Sequence, residues 1–311
     1  MTKEFSGIIP VVLTPFTDEN QIDWAGYENL IEWYLANGTQ AMFAVCQSSE
    51  MQFLSVDERV ALARFTVEKV AGRVPVMASG HTSDSLEDQK AELIAMVETG
   101  VDAIVLVTNR LDPHQKGAEV FRRNLDALLD FLPADMPLGL YECPAPYRRL
   151  LTDDEVTYCA QSGRFVIVKD VSCDLETVKR RVALVEGTPM KICNANAAIA
   201  APAIRAGSVG FCGVFTNVHP DLYRWLQDHG AEHPDLAAEL EVYLVLSAAI
   251  EPMGYPKLAK LYHQRRGTFT SIHSRVVPFD IEEKFWALSE VLDRVEQGNE
   301  QFRSKIKALK A

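Results

Sequence analysis

A (β/α)8 TIM barrel followed by a helical C-terminal extension is the fold class the sequence predicts, and three observations predict it. Apolar, strand-like runs alternate with amphipathic, helix-like runs from the N-terminus to about Gly230. Eight strand-like runs can be counted, at 8–14, 41–46, 74–79, 103–108, 138–143, 165–169, 190–194 and 208–213. No antiparallel hairpin signal separates them, so each strand feeds a helix and the sheet is parallel. An open doubly wound sheet shows the same alternation. Eight units exceed its usual size, however, and no GxGxxG follows the first strand.

The helical runs are placed by periodicity and by their ends. Trp24–Ala36, Val56–Val70, Ser85–Thr99 and Ala118–Phe131 have helical length and spacing. Ser55 with Glu58, and Thr152 with Glu155, are capping boxes: a hydroxyl takes an early backbone N–H while the carboxylate returns to the cap. Gly38, Gly100, Gly207 and Gly230 fall where helices should stop. After Gly230 the strand pattern ends, and Leu236–Ile250, Pro256–Gln264 and Phe279–Gly298 read as helices punctuated by Pro252, Pro256 and Pro278. The expected organisation is a barrel domain over residues 1–230 and a helical extension over 231–311.

The composition is that of an ordinary globular chain, with 48% hydrophobic and 24% charged residues among 311. A formal net charge of −12 without any basic block argues against nucleic acid or an anionic membrane as partner. No apolar run has the length of a membrane span, and the opening MTKEFSG carries no secretion-signal core. Six cysteines without a CxxC pair read as reduced thiols of a cytoplasmic protein, with no metal expected.

Chemistry in such a barrel sits at the C-terminal strand ends. The sixth run, RFVIVKD (164–170), ends on Lys169, whose stem would lie in an apolar core. Desolvation disfavours an ammonium ion, and a neutral amine is the nucleophile that forms an imine with a carbonyl. The competing reading has Lys169 reaching solvent and pairing with Asp170. Tyr141 ends the neighbouring fifth run. It is either a core-edge tyrosine or a phenol able to relay protons beside that amine. The second run ends in CQSSE (46–50), where Gln47, Ser48 and Ser49 offer donors for a carboxylate. Cys46, Cys143, Cys193 and Cys212 should gather around the same mouth, either as small buried side chains or as reactive thiols. His81 is the imidazole candidate there, and Asn194 and Asn196 are candidates to bond substrate hydroxyls.

These segments together resemble the dihydrodipicolinate synthase / N-acetylneuraminate lyase family. The resemblance is carried by VVLTPF (11–16), SSE with LSVDER (48–59), LYECP (140–144), VIVKD (166–170), RAGSVGF (205–211), TNVHP (216–220), YPKLAKL (255–261) and RVVPF (275–279). It implies a Schiff-base lyase without cofactor, assembled as a homotetramer, a dimer of dimers, acting on pyruvate or another 2-oxo acid. Lys169 takes the place of the family's imine-forming lysine and Tyr141 that of its relay tyrosine. Gln47, Ser48, Ser49 and Cys212 fall at substrate-binding positions. The chain also departs from the family. Gln47 replaces a hydroxyl residue of the relay, and the tyrosine that a neighbouring subunit contributes has no counterpart near 108–111. Pro146 stands where an arginine holds a second carboxylate, leaving Arg148 or Arg149 as substitutes. Arg110, Arg148, Asn194 and Asn196 are further binding candidates. Polar loop ends suit a hydroxylated substrate, so a 2-keto-3-deoxy sugar acid is expected before the amino-aldehyde of 4-hydroxy-tetrahydrodipicolinate synthase proper. A barrel that binds 2-oxo acids without turnover, and a metal-dependent aldolase, are the rival readings.

Overall fold

A computed structural model describes residues 3–309. Met1 and Thr2, which open the N-terminal stretch read above, and Lys310 and Ala311 lie outside the described residues. The eight strands are β1 (Gly7–Ile8), β2 (Met42–Phe43), β3 (Val76–Ala78), β4 (Ala103–Val107), β5 (Leu138–Tyr141), β6 (Phe165–Asp170), β7 (Lys191–Asn194) and β8 (Gly210–Phe211). All pairings are parallel, in the order β1-β8-β7-β6-β5-β4-β3-β2. A parallel bridge from Val11 to Phe43 joins the two remaining edges and closes the ring.

Every predicted strand is present, and each is shorter than or nearly equal to its apolar run. The surplus apolar residues continue into buried loops; Val11, Val12 and Leu13 are fully buried beyond β1. Burial of a segment on both faces therefore makes a longer apolar run than ladder pairing alone requires.

Helices at Trp24–Ala36 and Val56–Val70 match their predicted bounds. Both capping boxes form, with Glu58 and Thr152 in the expected roles. Each such cap contributes about 1 kcal/mol by satisfying backbone donors that a helix start leaves free. Gly38, Gly100 and Gly207 adopt positive φ after their helices, whereas Gly230 does not.

The C-terminal helices are Pro234–Ala248, Lys257–Arg265, Ile281–Lys284 and Leu288–Ala308. The single helix expected over 279–298 is broken at Phe285–Ala287 and then runs ten residues further. Asp280 starts the short piece by accepting from Glu282 and Glu283 N–H groups. The long helix continues past 298 because its apolar stripe, Leu292, Val295 and Phe302, stays buried. These helices also reach the barrel mouth. The turn joining Pro234–Ala248 to Lys257–Arg265 and the coil at 271–279 lie over the barrel mouth, where both deliver residues to the central cavity.

Candidate active site

The strand register places the two principal candidates side by side. Tyr141 and Lys169 are direct partners across the β5–β6 ladder. The Lys169 Nζ stands 4.4 Å from the centre of the Tyr141 ring and 5.4 Å from that of Phe43. Lys169 is only 5% exposed, so its stem is buried as the apolar run demands. Its neighbour Asp170 is not its partner: that carboxylate turns to the other face of the strand and pairs with Arg181. Among the described residues no carboxylate lies within ion-pair distance of the Lys169 amine.

Alternation along a strand explains this division. Tyr141 and Lys169 face the cavity, while Glu142 and Asp170, one residue on, face the helix Leu175–Leu184 and meet Arg181 there. Arg181 grips Glu142 with two bonds, 3.0 and 2.7 Å. Glu142 also accepts from Val171 N–H at 2.9 Å and Leu151 N–H at 2.7 Å. Burial, opposed by Arg181, raises the Glu142 carboxyl above its ordinary range.

The amine and phenol open into a cavity of about 400 Å³. Of the candidate residues, Gln47, Ser48, Asn196 and Cys212 line it with Lys169 and Tyr141. Ser48 does so because residues 47–49 form one turn of 3-10 helix after β2. Burial, with smaller contributions from nearby thiols, holds the Tyr141 phenol well above its ordinary pKa, so it keeps its proton.

Five binding candidates are not brought to the cavity. Ser49, adjacent to Ser48, is fully buried, and its hydroxyl is committed to the Val12 and Ala44 carbonyls at 2.6 and 2.9 Å. It shapes the turn. Arg110 points outward to Asp84. Arg148 is exposed and donates to the Val171 carbonyl at 3.2 Å. Asn194 closes a local loop, bonding the backbone of Asn196 through both ends of its amide. Arg149, the other substitute for a second cation, is held by Asp112 and Glu155.

His81 is fully buried away from the cavity. Val107 N–H donates to its Nε2 at 2.6 Å, which leaves the Nδ1 hydrogen for Gln89 Oε1 at 3.1 Å. Burial lowers its pKa to about 4, so the ring is a neutral connector of β3 and β4. Cys46, Cys143, Cys193 and Cys212 are all buried. Burial raises the Cys143 and Cys193 thiols and pushes Cys212 up to about 12, the opposite of what a thiolate nucleophile needs. Cys143 instead bonds Gln47 Oε1 at 3.4 Å.

Two residues missed by strand-end reasoning complete the wall. Glu251 and Tyr255 enter from the turn between C-terminal helices. Gly254 makes that turn possible: its φ is +106°, and a Cβ there would come within 2.5 Å of Ile281. The sequence signal was YPK after a glycine, which marks a turn but not the surface it covers. Among the described residues, no set of three or more His, Cys, Asp or Glu is placed to hold a metal ion. No helix of the described residues is long and apolar enough to cross a membrane.

A parallel eight-strand barrel with a buried lysine and phenol on adjacent strand ends, opening into a cavity at its mouth, has the form of a barrel enzyme. Comparison with known proteins gives the family. The sequence model of the dihydrodipicolinate synthetase family matches residues 4–278, and the chain belongs to that family. It is similar to 4-hydroxy-tetrahydrodipicolinate synthase of Bacillus subtilis, at 29% identity over 222 residues, covering 69% of this chain and 72% of that protein. Its fold is that of dihydrodipicolinate synthase DapA-2 from Bacillus anthracis, with a TM-score of 0.84 and 24% identity over 94% of this chain and 98% of the other. YagE, a prophage protein of E. coli K12 belonging to the dihydrodipicolinic acid synthase family and solved in complex with pyruvate, superposes with a TM-score of 0.82 at 22% identity. That match covers 94% of this chain and 98% of YagE.

Proposed function

We propose that this lyase works through a Schiff base between Lys169 and the C2 carbonyl of pyruvate or a 2-keto-3-deoxy sugar acid. The observation that carries the reading is the buried Lys169 amine, without a carboxylate partner among the described residues and 4.4 Å above the Tyr141 ring. The amine lone pair adds to C2, and the carbinolamine loses its oxygen as water, leaving a protonated imine. Tyr141 carries protons to and from that oxygen and the adjacent carbon. In a 2-keto-3-deoxy sugar acid the imine then accepts the electron pair of the C3–C4 bond as it breaks, and the C4 hydroxyl gives up its proton to become an aldehyde. In the other outcome it accepts the pair left by deprotonation of C3 and returns it to expel the protonated C4 hydroxyl as water. Ser48 binds the carboxylate. No cofactor is required by these steps.

The rim of the cavity favours a hydroxylated distal portion. Gln47, Gln52 and Asn196 offer amides and Glu251 a carboxylate, while Arg110, Arg148 and Arg149 are engaged elsewhere. Pyruvate bound in YagE supports the 2-oxo acid end. The names of the sequence relatives favour a second reading, condensation of pyruvate with an amino-aldehyde to make 4-hydroxy-tetrahydrodipicolinate. The assembly proposed is a cytoplasmic homotetramer.

Pyruvate with borohydride, followed by intact-mass measurement, should add one reduced pyruvyl group to the wild-type chain and none to Lys169→Ala. An unmodified wild type would leave a barrel that binds without turnover. Release of pyruvate from a 2-keto-3-deoxy sugar acid marks the aldol outcome, and loss of water alone marks the dehydratase.

A further inference from the structure

The C-terminal turn over the barrel mouth carries a carboxylate to the cavity that holds Lys169. Glu251 opens the 3-10 turn Glu251–Met253 and lines the same space as the amine. The turn is fixed at both ends. Met253 N–H donates to the Ile250 carbonyl at 2.8 Å, and Tyr255 N–H to the Glu251 carbonyl at 3.1 Å. Beyond it, Asn217 Nδ2 donates to the Tyr255 phenol at 2.9 Å.

The buried carboxylates of the barrel are matched by cations: Glu142 and Asp170 by Arg181, Glu50 by Lys260, Glu92 by Arg59. Glu251, exposed at the rim, is not. Among the described residues its carboxylate has no hydrogen bond and no ion pair. Burial still raises that carboxyl above its ordinary range, and the Lys169 cation opposes the rise. Charge counting gives the consequence. Lys169 is the one cation and Glu251 the one anion among the described lining residues. A 2-oxo acid held as a protonated imine brings its own C1 carboxylate, so a monoacid leaves one negative charge in excess. A second carboxylate at the far end would leave two, with no guanidinium on the wall to meet it.

We propose that Glu251 selects the charge of the substrate's distal end: the site takes 2-oxo acids that end in an uncharged, hydroxylated chain and rejects those that end in a second carboxylate. This rests on the Schiff-base reading above, which fixes C2 at Lys169 and leaves the rest of the chain in the cavity that Glu251 lines. Two like charges about 6 Å apart at a half-solvated rim disfavour binding by on the order of tenfold. A hydroxyl in the same place donates to the carboxylate instead, a charge-assisted bond. Selection of the distal end is therefore the work of the C-terminal segment, apart from the strand ends that hold the reacting carbon.

The test compares 2-oxoglutarate with its 5-methyl ester, the same chain without the distal charge, in borohydride trapping at graded concentration. Each half-saturation is divided by that for pyruvate, which has no distal end, so that any effect of a substitution on the amine cancels. In the wild type the ratio for 2-oxoglutarate should exceed that for the ester by about tenfold or more. In Glu251→Gln the two ratios should come within about threefold of each other, since the like charge is gone. Equal ratios in the wild type, a preference for 2-oxoglutarate, or an unchanged gap in Glu251→Gln overturns the proposal. So does a wild type that traps pyruvate but neither longer acid, because the cavity would then hold no distal chain. A crystal structure of the reduced wild-type adduct of the ester is the second measurement, which no folding defect can obscure. An ester group beside the Glu251 carboxylate supports the assignment, and one turned to the opposite wall ends it. Absence of any wild-type adduct with pyruvate instead overturns the Schiff-base reading, and this proposal with it.

Discussion

Two walls of the cavity are each backed by a buried ion cluster, and the clusters are built differently. Behind Tyr141 and Lys169, Arg181 joins Glu142 and Asp170, all three at most 1% exposed. Glu142 directly follows β5, Asp170 ends β6 and Arg181 lies on the helix after β6, elements that are neighbours in the chain. Behind Ser48, Glu50 pairs with Lys260, both fully buried. Glu50 also accepts from the N–H groups of Arg275 and Val276 at 2.6 and 3.0 Å, and Lys260 donates to the His273 carbonyl at 2.7 Å. This second cluster spans more than 200 positions of sequence. The amine wall is thus a product of consecutive βα units. The Ser48 wall is backed by bonds from the C-terminal segment.

Breaking the first cluster should have the largest effect. Arg181→Met leaves two buried carboxylates without their cation, a loss of about 3–5 kcal/mol. Urea denaturation followed by circular dichroism should show the whole barrel destabilised. A change confined to activity would mean that the cluster is not structural.

Lys260→Met should cost somewhat less in global stability, about 3 kcal/mol for one stranded carboxylate, and its damage should be local. Amide exchange at Arg275 and Val276 should accelerate, while that of β5 and β6 stays protected. The two clusters also differ in pH response. Burial lowers Lys260 to about 8, against an ordinary value of 10.5. Between those values the unfolded chain holds the proton that the folded chain has lost, so the Lys260 contribution to stability rises with pH across that window. The difference in urea midpoint between wild type and Lys260→Met should therefore shift in favour of wild type from pH 8 to 10. The arginine cluster has no alkaline window; its raised Glu142 carboxyl places one on the acid side, where its contribution falls as pH rises above the ordinary carboxylate value.

The smallest effect sharpens the comparison from outside both walls. Arg110→Ala should change the half-saturation for substrate by less than about twofold, since its partner Asp84 is at the surface and exposed pairs contribute little. A tenfold rise in KM would return Arg110 to the site.

Much of the amine wall was legible in the sequence. Lys169 and Tyr141 end consecutive apolar runs, and in a parallel barrel consecutive strands are neighbours, so their juxtaposition follows from order alone. The Ser48 wall was legible only in part. Ser48 and Ser49 look equivalent as letters, yet one 3-10 turn sends the first into the cavity and the second into backbone bonds. Asn194 and Asn196 divide in the same way, as do the arginines, whose carboxylate partners on other loops claim them first.

The sequence by itself determined the alternation of strands and helices, the caps that start them and the pairing of an amine with a phenol. Those are properties of local periodicity and of neighbours along the chain, which short-range sterics and burial settle. Only the tertiary structure decided that Tyr255 and Glu251 reach the mouth, that Lys260 meets Glu50, and which hydroxyl of Ser48 and Ser49 faces a guest. Those contacts join segments far apart in the chain, and their choice depends on which competing partner the packed surfaces bring within bonding distance.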